Sequence, residues 1–140
     1  MSWPLYQGED ILELLPQREP FLMVDVLYGS TVAECRTGFN ICPGNIFCDG
    51  TIFSAEGVIE HMAQSCSVLL GYNAVGNSSP VPVGYIGEIK QFRLYLHPRC
   101  GQSLSTSVSM DKELGGIRLM SARTRVKNCL IGECRMKLSV

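Results

Sequence analysis

The sequence predicts an α+β domain in which an antiparallel sheet of about six strands wraps around one long central helix. Two observations carry this. The elements run in the order short helix, two strands, one long apolar helix, then four strands; a sheet with a single buried helix belongs to the α+β class. The long helical segment also carries few charges, so it is expected to be buried on most sides. With 140 residues, 46% of them hydrophobic, the chain is long enough for one core and short for two, and residues 1–140 are read as a single domain.

Glu9 to Leu15 reads as a short amphipathic helix ended by Pro16. Phe21 to Tyr28 is a short apolar run and a strand candidate, followed by a Gly29-Ser30 turn. Thr31 to Asn40 alternates as the second strand of a hairpin. Cys42 to Thr51 holds Pro43, Gly44, Asn45, Asp49 and Gly50 and reads as a loop. The central helix spans about Ser54 to Val75, with Ser54 as N-cap and Glu56 in the first turn. Val58, Ile59, Met62, Cys66, Leu69 and Leu70 recur along it at helical spacing. A polar exit loop, Asn73 to Pro80, follows. The remaining strands are Val81 to Leu96, Ser103 to Met110, Ile117 to Lys127 and Leu130 to Val140, separated by Pro98-Arg99-Cys100-Gly101, Leu114-Gly115-Gly116 and a turn at Asn128. In Ser103 to Met110, Leu104, Thr106, Val108 and Met110 alternate with serines. Such a sheet keeps an open edge, which favours pairing with a second subunit.

A net charge of −1 gives no basic footprint for nucleic acid and no polybasic patch for a membrane surface. No apolar stretch reaches the length of a membrane span, and the first residues lack the pattern of a signal peptide. The seven cysteines are odd in number and form no CxxC. Several lie in apolar segments, so they are expected to be reduced core thiols of a cytoplasmic protein. Two histidines and scattered cysteines give no metal-ligand spacing, no phosphate-binding glycine loop is present, and no cofactor is expected.

Three segments resemble the (3R)-hydroxyacyl-ACP dehydratases, a family of hot-dog fold. Ile11-Leu12-Glu13-Leu14-Leu15-Pro16-Gln17-Arg18, followed by Pro20-Phe21-Leu22 and Asp25, is similar to the family's opening helix and its Leu-Pro-His-Arg and Pro-Phe-Leu motifs. Glu60-His61-Met62-Ala63-Gln64 is similar to Glu-Ala-Met-Ala-Gln on its central helix. Gly84 to Gly101, with Phe92-Arg93 and Pro98-Arg99-Cys100-Gly101, resembles the strand that ends in a Pro-Gly-Asp type turn. The departures are equally specific. The family's catalytic histidine belongs to a Gly-His-Phe-Pro-Gly loop; here a shorter loop reads Phe47-Cys48-Asp49-Gly50-Thr51-Ile52-Phe53. Gln17 stands for the first-segment histidine, and Ser54-Ala55 for the Pro-Gly that opens the helix. This combination also resembles divergent dehydratase-like proteins of aryl-polyene and flexirubin pigment clusters.

The resemblance implies a hot-dog fold and action on 3-hydroxyacyl thioesters of acyl carrier protein. It implies a homodimer, or a heterodimer with another hot-dog subunit, because the family's histidine and glutamate come from different protomers. Dehydration needs a base for the Cα proton, an acid for the departing hydroxyl and donors for the thioester oxygen. Glu60 is the candidate acid, since an apolar setting favours the neutral form of a carboxyl. The alternative is a glutamate on a solvated helix edge shared with Glu56. Gln64, one turn on, is placed to orient it or to serve as a packing amide. Asp49 is a candidate substitute base or a plain Asp-Gly turn. Ser54, Ala55, Glu56 and Gly57 at the helix start are candidates for binding the thioester, and Arg93 for meeting the carrier. His61 lies about 100° around the helix from Glu60 and reads better as a core or interface residue than as a catalytic one. His97 reads as a surface residue, and Cys48 as a thiol without a histidine near in sequence. A thioesterase and a non-catalytic acyl-carrier-binding subunit remain as alternatives.

Overall fold

The computed structural model describes residues 3–82 and 85–139. The ends of two expected segments, Gly84 and Val140, lie outside the described residues, as does Val83. The described chain forms seven strands and one long helix: β1 (Tyr6–Gln7), β2 (Val26–Ser30), β3 (Glu34–Asn40), α1 (Ala55–Gly76), β4 (Tyr85–Leu94), β5 (Ser103–Leu114), β6 (Ile117–Val126) and β7 (Cys129–Ser139). All neighbouring strands are antiparallel, in the order β1-β2-β3-β5-β6-β7-β4. This is the expected hot-dog arrangement, with the helix cradled by the sheet and one short strand, β1, added to the six anticipated.

The sequence builds the sheet by alternation. Along β5, Leu104, Thr106 and Val108 face α1 and are buried, while Ser103, Ser105 and Ser107 face out. Met120, Ala122, Thr124 and Val126 of β6 and Cys134, Met136 and Leu138 of β7 continue the inner face. Val58, Met62, Cys66, Val68 and Leu69 of α1 pack on it and are fully buried. The β6–β7 turn puts Lys127 and Asn128 at φ 49° and 67°, the left-handed pair of a two-residue hairpin that matches strand twist.

One row across the inner face is polar. Thr37 pairs with Thr106, and Thr106 with Thr124, in register on β3, β5 and β6, all fully buried beneath α1. Buried hydroxyls need partners, and here the helix supplies them through Ser65 and His61.

Three expectations are corrected. The opening helix is a 3-10 helix, Gly8–Glu13, although Ile11, Leu14 and Leu15 are buried as their spacing suggests. The run Phe21 to Tyr28 does not start as a strand. Met23 gives both its backbone groups to side chains of α1, so strand pairing begins only at Val26. All seven cysteines are free, but only Cys35, Cys66 and Cys134 are core residues; Cys42 and Cys129 are exposed because they sit in a loop and at a turn.

Candidate active site

The start of α1 is fastened by the loop before it. Phe53 is fully buried and meets Phe47 edge-on, with ring centroids 6.4 Å apart. The Ser54 N–H donates to the Phe47 carbonyl at 2.9 Å. The Ser54 hydroxyl accepts from the Gly57 N–H at 3.3 Å, as an N-cap does. Gly57 is needed there: a Cβ would stand 2.5 Å from Cζ of Phe53 and 2.8 Å from Cβ of Phe47. The first N–H groups of a helix lack intrahelical acceptors and carry partial positive charge. With the Ser54 and Gly57 N–H groups so engaged, this rigid helix start keeps the Ala55 and Glu56 N–H groups as its donors, with Ser54 and Ala55 half-buried and Glu56 exposed.

Glu60 lies about one turn further along α1 and is half-buried. Its Oε1 accepts from Nε2 of Gln64 at 3.0 Å. Gln64 is almost fully buried and uses both ends of its amide. Nε2 also donates to the Phe21 carbonyl at 2.8 Å, while Oε1 accepts from the Met23 N–H at 2.7 Å. Glu60 is therefore no freely solvated edge residue; its carboxyl is held by a donor that is itself fixed at two other points, Phe21 and Met23.

His61 is fully buried and faces the sheet instead. Its Nδ1 lies 2.7 Å from the Met23 carbonyl, its Nε2 2.7 Å from the Thr106 hydroxyl, and Phe39 stacks on the ring at 6.0 Å. Burial pushes the imidazole down to about 4, so it is neutral near pH 7. The core reading of His61 stands, with a network that sequence reasoning missed. The available signal was Thr106, whose place among inward-facing Leu104 and Val108 put a hydroxyl beneath the helix.

Other candidates are not gathered at Glu60. Asp49 is exposed and closes its own turn, accepting from the Thr51 and Ile52 N–H groups at 2.9 and 2.7 Å. Those donors hold its carboxyl below the usual range, which weakens it as a base. Arg93 stands on β4 opposite Glu133 of β7. Glu133 also takes the Tyr95 hydroxyl at 2.5 Å and lies 3.7 Å from Arg123. His97 is exposed, and Cys48 touches Cys100 and donates to the Cys42 carbonyl at 3.6 Å. Among the described residues, no group of three or more His, Cys, Asp or Glu converges in a way that would hold a metal ion.

The sheet ends at β4, which among the described residues is hydrogen-bonded only to β7 and forms an edge along which Ile86 and Ile89 are 40% and 38% exposed. A bulge between Lys90 and Arg93 places Gln91 at φ 52°. Among the described residues, no helix is long and apolar enough to cross a membrane.

Comparison with known proteins agrees with this architecture. The fold matches a subunit of the dehydratase heterocomplex ApeI:P from Xenorhabdus doucetiae with a TM-score of 0.85 at 13% identity, over 92% of this chain and 89% of that one. It also matches a hypothetical thioesterase with coenzyme A from Streptococcus pneumoniae with a TM-score of 0.65 at 5% identity, over 81% and 83% of the two chains. In sequence, the 3-hydroxyacyl-[acyl-carrier-protein] dehydratases FabZ of Escherichia coli K12 and Erwinia tasmaniensis are 29% and 28% identical. They align with 93% and 91% of this chain and 89% and 88% of their own. The fold is of the hot-dog class, and the likeness in sequence is to dehydratases. More narrowly, residues 9–138 match the model of the ApeP-like family, described as ApeP dehydratase, and the chain belongs to that family.

Proposed function

We propose that this chain is one subunit of a dehydratase acting on 3-hydroxyacyl thioesters of acyl carrier protein in fatty-acid or polyene biosynthesis, with Glu60 as general acid. The observation that carries the reading is the carboxyl of Glu60 held by the buried amide of Gln64. With Oε1 engaged, the other carboxyl oxygen remains to deliver a proton. In the reaction a base takes the Cα proton, the C–H electron pair becomes the new double bond, and the C3–O bond breaks. The departing hydroxyl leaves as water with the proton from Glu60. Negative charge gathered on the thioester oxygen is met by the N–H groups at the start of α1, between Ser54 and Gly57. Arg93 is assigned to the carrier protein, as a cation beside the sheet edge.

The base is the missing part. Asp49 is poorly suited, since its carboxylate already takes two backbone donors and is held below the usual range. We assign the base to the histidine of a second hot-dog subunit that pairs along the β4 edge. Such an edge offers unpaired backbone groups and apolar side chains. The similarly folded ApeI:P complex of Xenorhabdus doucetiae is a dehydratase heterocomplex, which supports a mixed assembly here.

The test is turnover of 3-hydroxyacyl-ACP by the purified chain alone and mixed with hot-dog subunits encoded beside it. Activity only in the mixture supports the mixed site, whereas full activity alone returns the base to this chain. Glu60→Gln should abolish enoyl product in either case, and unchanged turnover would remove Glu60 from the mechanism. Free acid in place of enoyl product would make the protein a thioesterase. Binding of acyl-ACP without turnover in any mixture would make it a carrier-binding subunit.

A further inference from the structure

We infer that His61 is a positioning residue for Glu60: as its Nδ1–H tautomer it holds the backbone of Met23, which fixes Gln64 and so aims the Glu60 carboxyl. This rests on the reading of Glu60 as the acid.

The chain of contacts is directional. A carbonyl oxygen only accepts, so the 2.7 Å contact between Met23 O and His61 makes Nδ1 the donor. The buried ring is neutral, so Nε2 is an acceptor, and the Thr106 hydroxyl donates to it at 2.7 Å. Having given its proton, Thr106 accepts at 2.7 Å from Thr124. The Met23 carbonyl thus fixes the tautomer, and the Thr106 and Thr124 hydroxyls take the roles that it leaves them. Phe39, stacked at 24° to the ring, prevents it from turning.

The same backbone decides which way Gln64 points. The Met23 N–H requires an acceptor, so it captures Oε1 of Gln64. That leaves Nε2 to face two acceptors, the Phe21 carbonyl and Glu60. With the amide reversed, oxygen would face both of these and nitrogen would face the Met23 donor. His61 and Gln64 stand three residues apart on α1 and grip Met23 from its two polar sides. The helix therefore reads one backbone residue with two side chains, and a third side chain, Glu60, receives the result.

Two substitutions separate positioning from packing. His61→Asn keeps an amide donor near the place of Nδ1 and loses the Thr106 contact. His61→Gln reaches toward Thr106 and gives up the Met23 contact. In the assembly in which the wild-type chain turns over 3-hydroxyacyl-ACP, we expect His61→Asn to keep kcat within about three-fold. His61→Gln should lose roughly 10- to 100-fold in kcat with KM little changed, the pattern of a misaimed group. Comparable losses in both variants, or wild-type kcat in His61→Gln, would overturn the inference. Nitrogen-15 NMR of the unmodified protein tests it without any variant. The His61 ring should show Nδ1 protonated and Nε2 bare at pH 7, and an Nε2–H tautomer or an imidazolium contradicts the assignment. A dead Glu60→Gln with an active His61→Gln would remove His61 alone, whereas an active Glu60→Gln would remove both readings.

Discussion

Gln64 and Glu60 stand one turn apart on α1, joined by an amide-to-carboxyl hydrogen bond of 3.0 Å. The amide is nearly inaccessible to solvent and also satisfies Met23 and Phe21. Replacing it has two separable effects. Gln64→Leu strands the Met23 N–H and the Phe21 carbonyl, and a buried group left unpaired costs about 1–3 kcal/mol. A fall in denaturant midpoint should register this. Gln64→Glu keeps the shape but turns the donor into an acceptor facing Glu60 and the Phe21 carbonyl. Its kcat is expected to fall by at least about ten-fold even in the fraction that folds. Wild-type kcat in Gln64→Glu would show that the hydrogen bond to Glu60 has no catalytic part.

Much of this arrangement was legible in the residues. Helical spacing from Val58 to Leu70 and a capping serine placed α1 within a residue of its observed ends, Ala55–Gly76. Alternation in Ser103 to Met110 gave the inner face of β5, Thr106 included. The likeness of Glu60 to Gln64 to a known motif singled out the pair that the fold brings into contact. Phe21 to Tyr28 was less transparent, because an apolar run looks like a strand whether its backbone pairs with a neighbour or with side chains. Asp49 and Arg93 stand out in the sequence only by residue type and neighbourhood. Sequence carries no distance, and the turn that consumes the Asp49 carboxylate is visible only once Thr51 and Ile52 are placed.

Acid should destabilise the protein through His61. The ring titrates at about 4 in the fold, against 6.5 for an ordinary histidine, because burial disfavours its charged form. The unfolded chain therefore binds the proton more readily between these values. The stability due to neutral His61 is complete above about pH 6.5 and is lost as pH falls toward 4. At 1.36 kcal/mol per pH unit this is on the order of 3 kcal/mol. Urea unfolding at pH 7, 5.5 and 4.5 should show the decline, and His61→Asn should flatten it. An equal slope in the variant would place the acid sensitivity elsewhere.

The cysteines should divide by environment. Cys35 and Cys134 are buried thiols pushed up to about 12 by desolvation, and burial also holds Cys66 well above the ordinary thiol value. Thiolate is the reactive form, so these three should resist alkylation at pH 8 until the protein unfolds. Cys42 and Cys129 are exposed and should be modified first. Peptide mapping after brief iodoacetamide treatment reads the order directly. Early labelling of Cys66 would mean that the packing of α1 on β5 and β6 opens on that timescale.

Two glycines of α1 offer a comparison between the helix start and the rest of the core. At Gly71 a Cβ would fall 2.3 Å from the Leu14 carbonyl, a backbone atom that cannot rotate aside. At Gly57 it would meet the rings and stem of Phe53 and Phe47, which hold the loop onto the first turn. Overpacking of this kind costs about 1–3 kcal/mol, so both alanine variants should melt below wild type. Only Gly57→Ala displaces the N–H groups assigned to the thioester oxygen. Its kcat should therefore fall by a further factor of about ten or more at a temperature where both variants are folded, while Gly71→Ala keeps kcat near wild type. Equal kcat in the two would leave the start of α1 as a structural joint and take the oxyanion role away from Ser54 to Gly57.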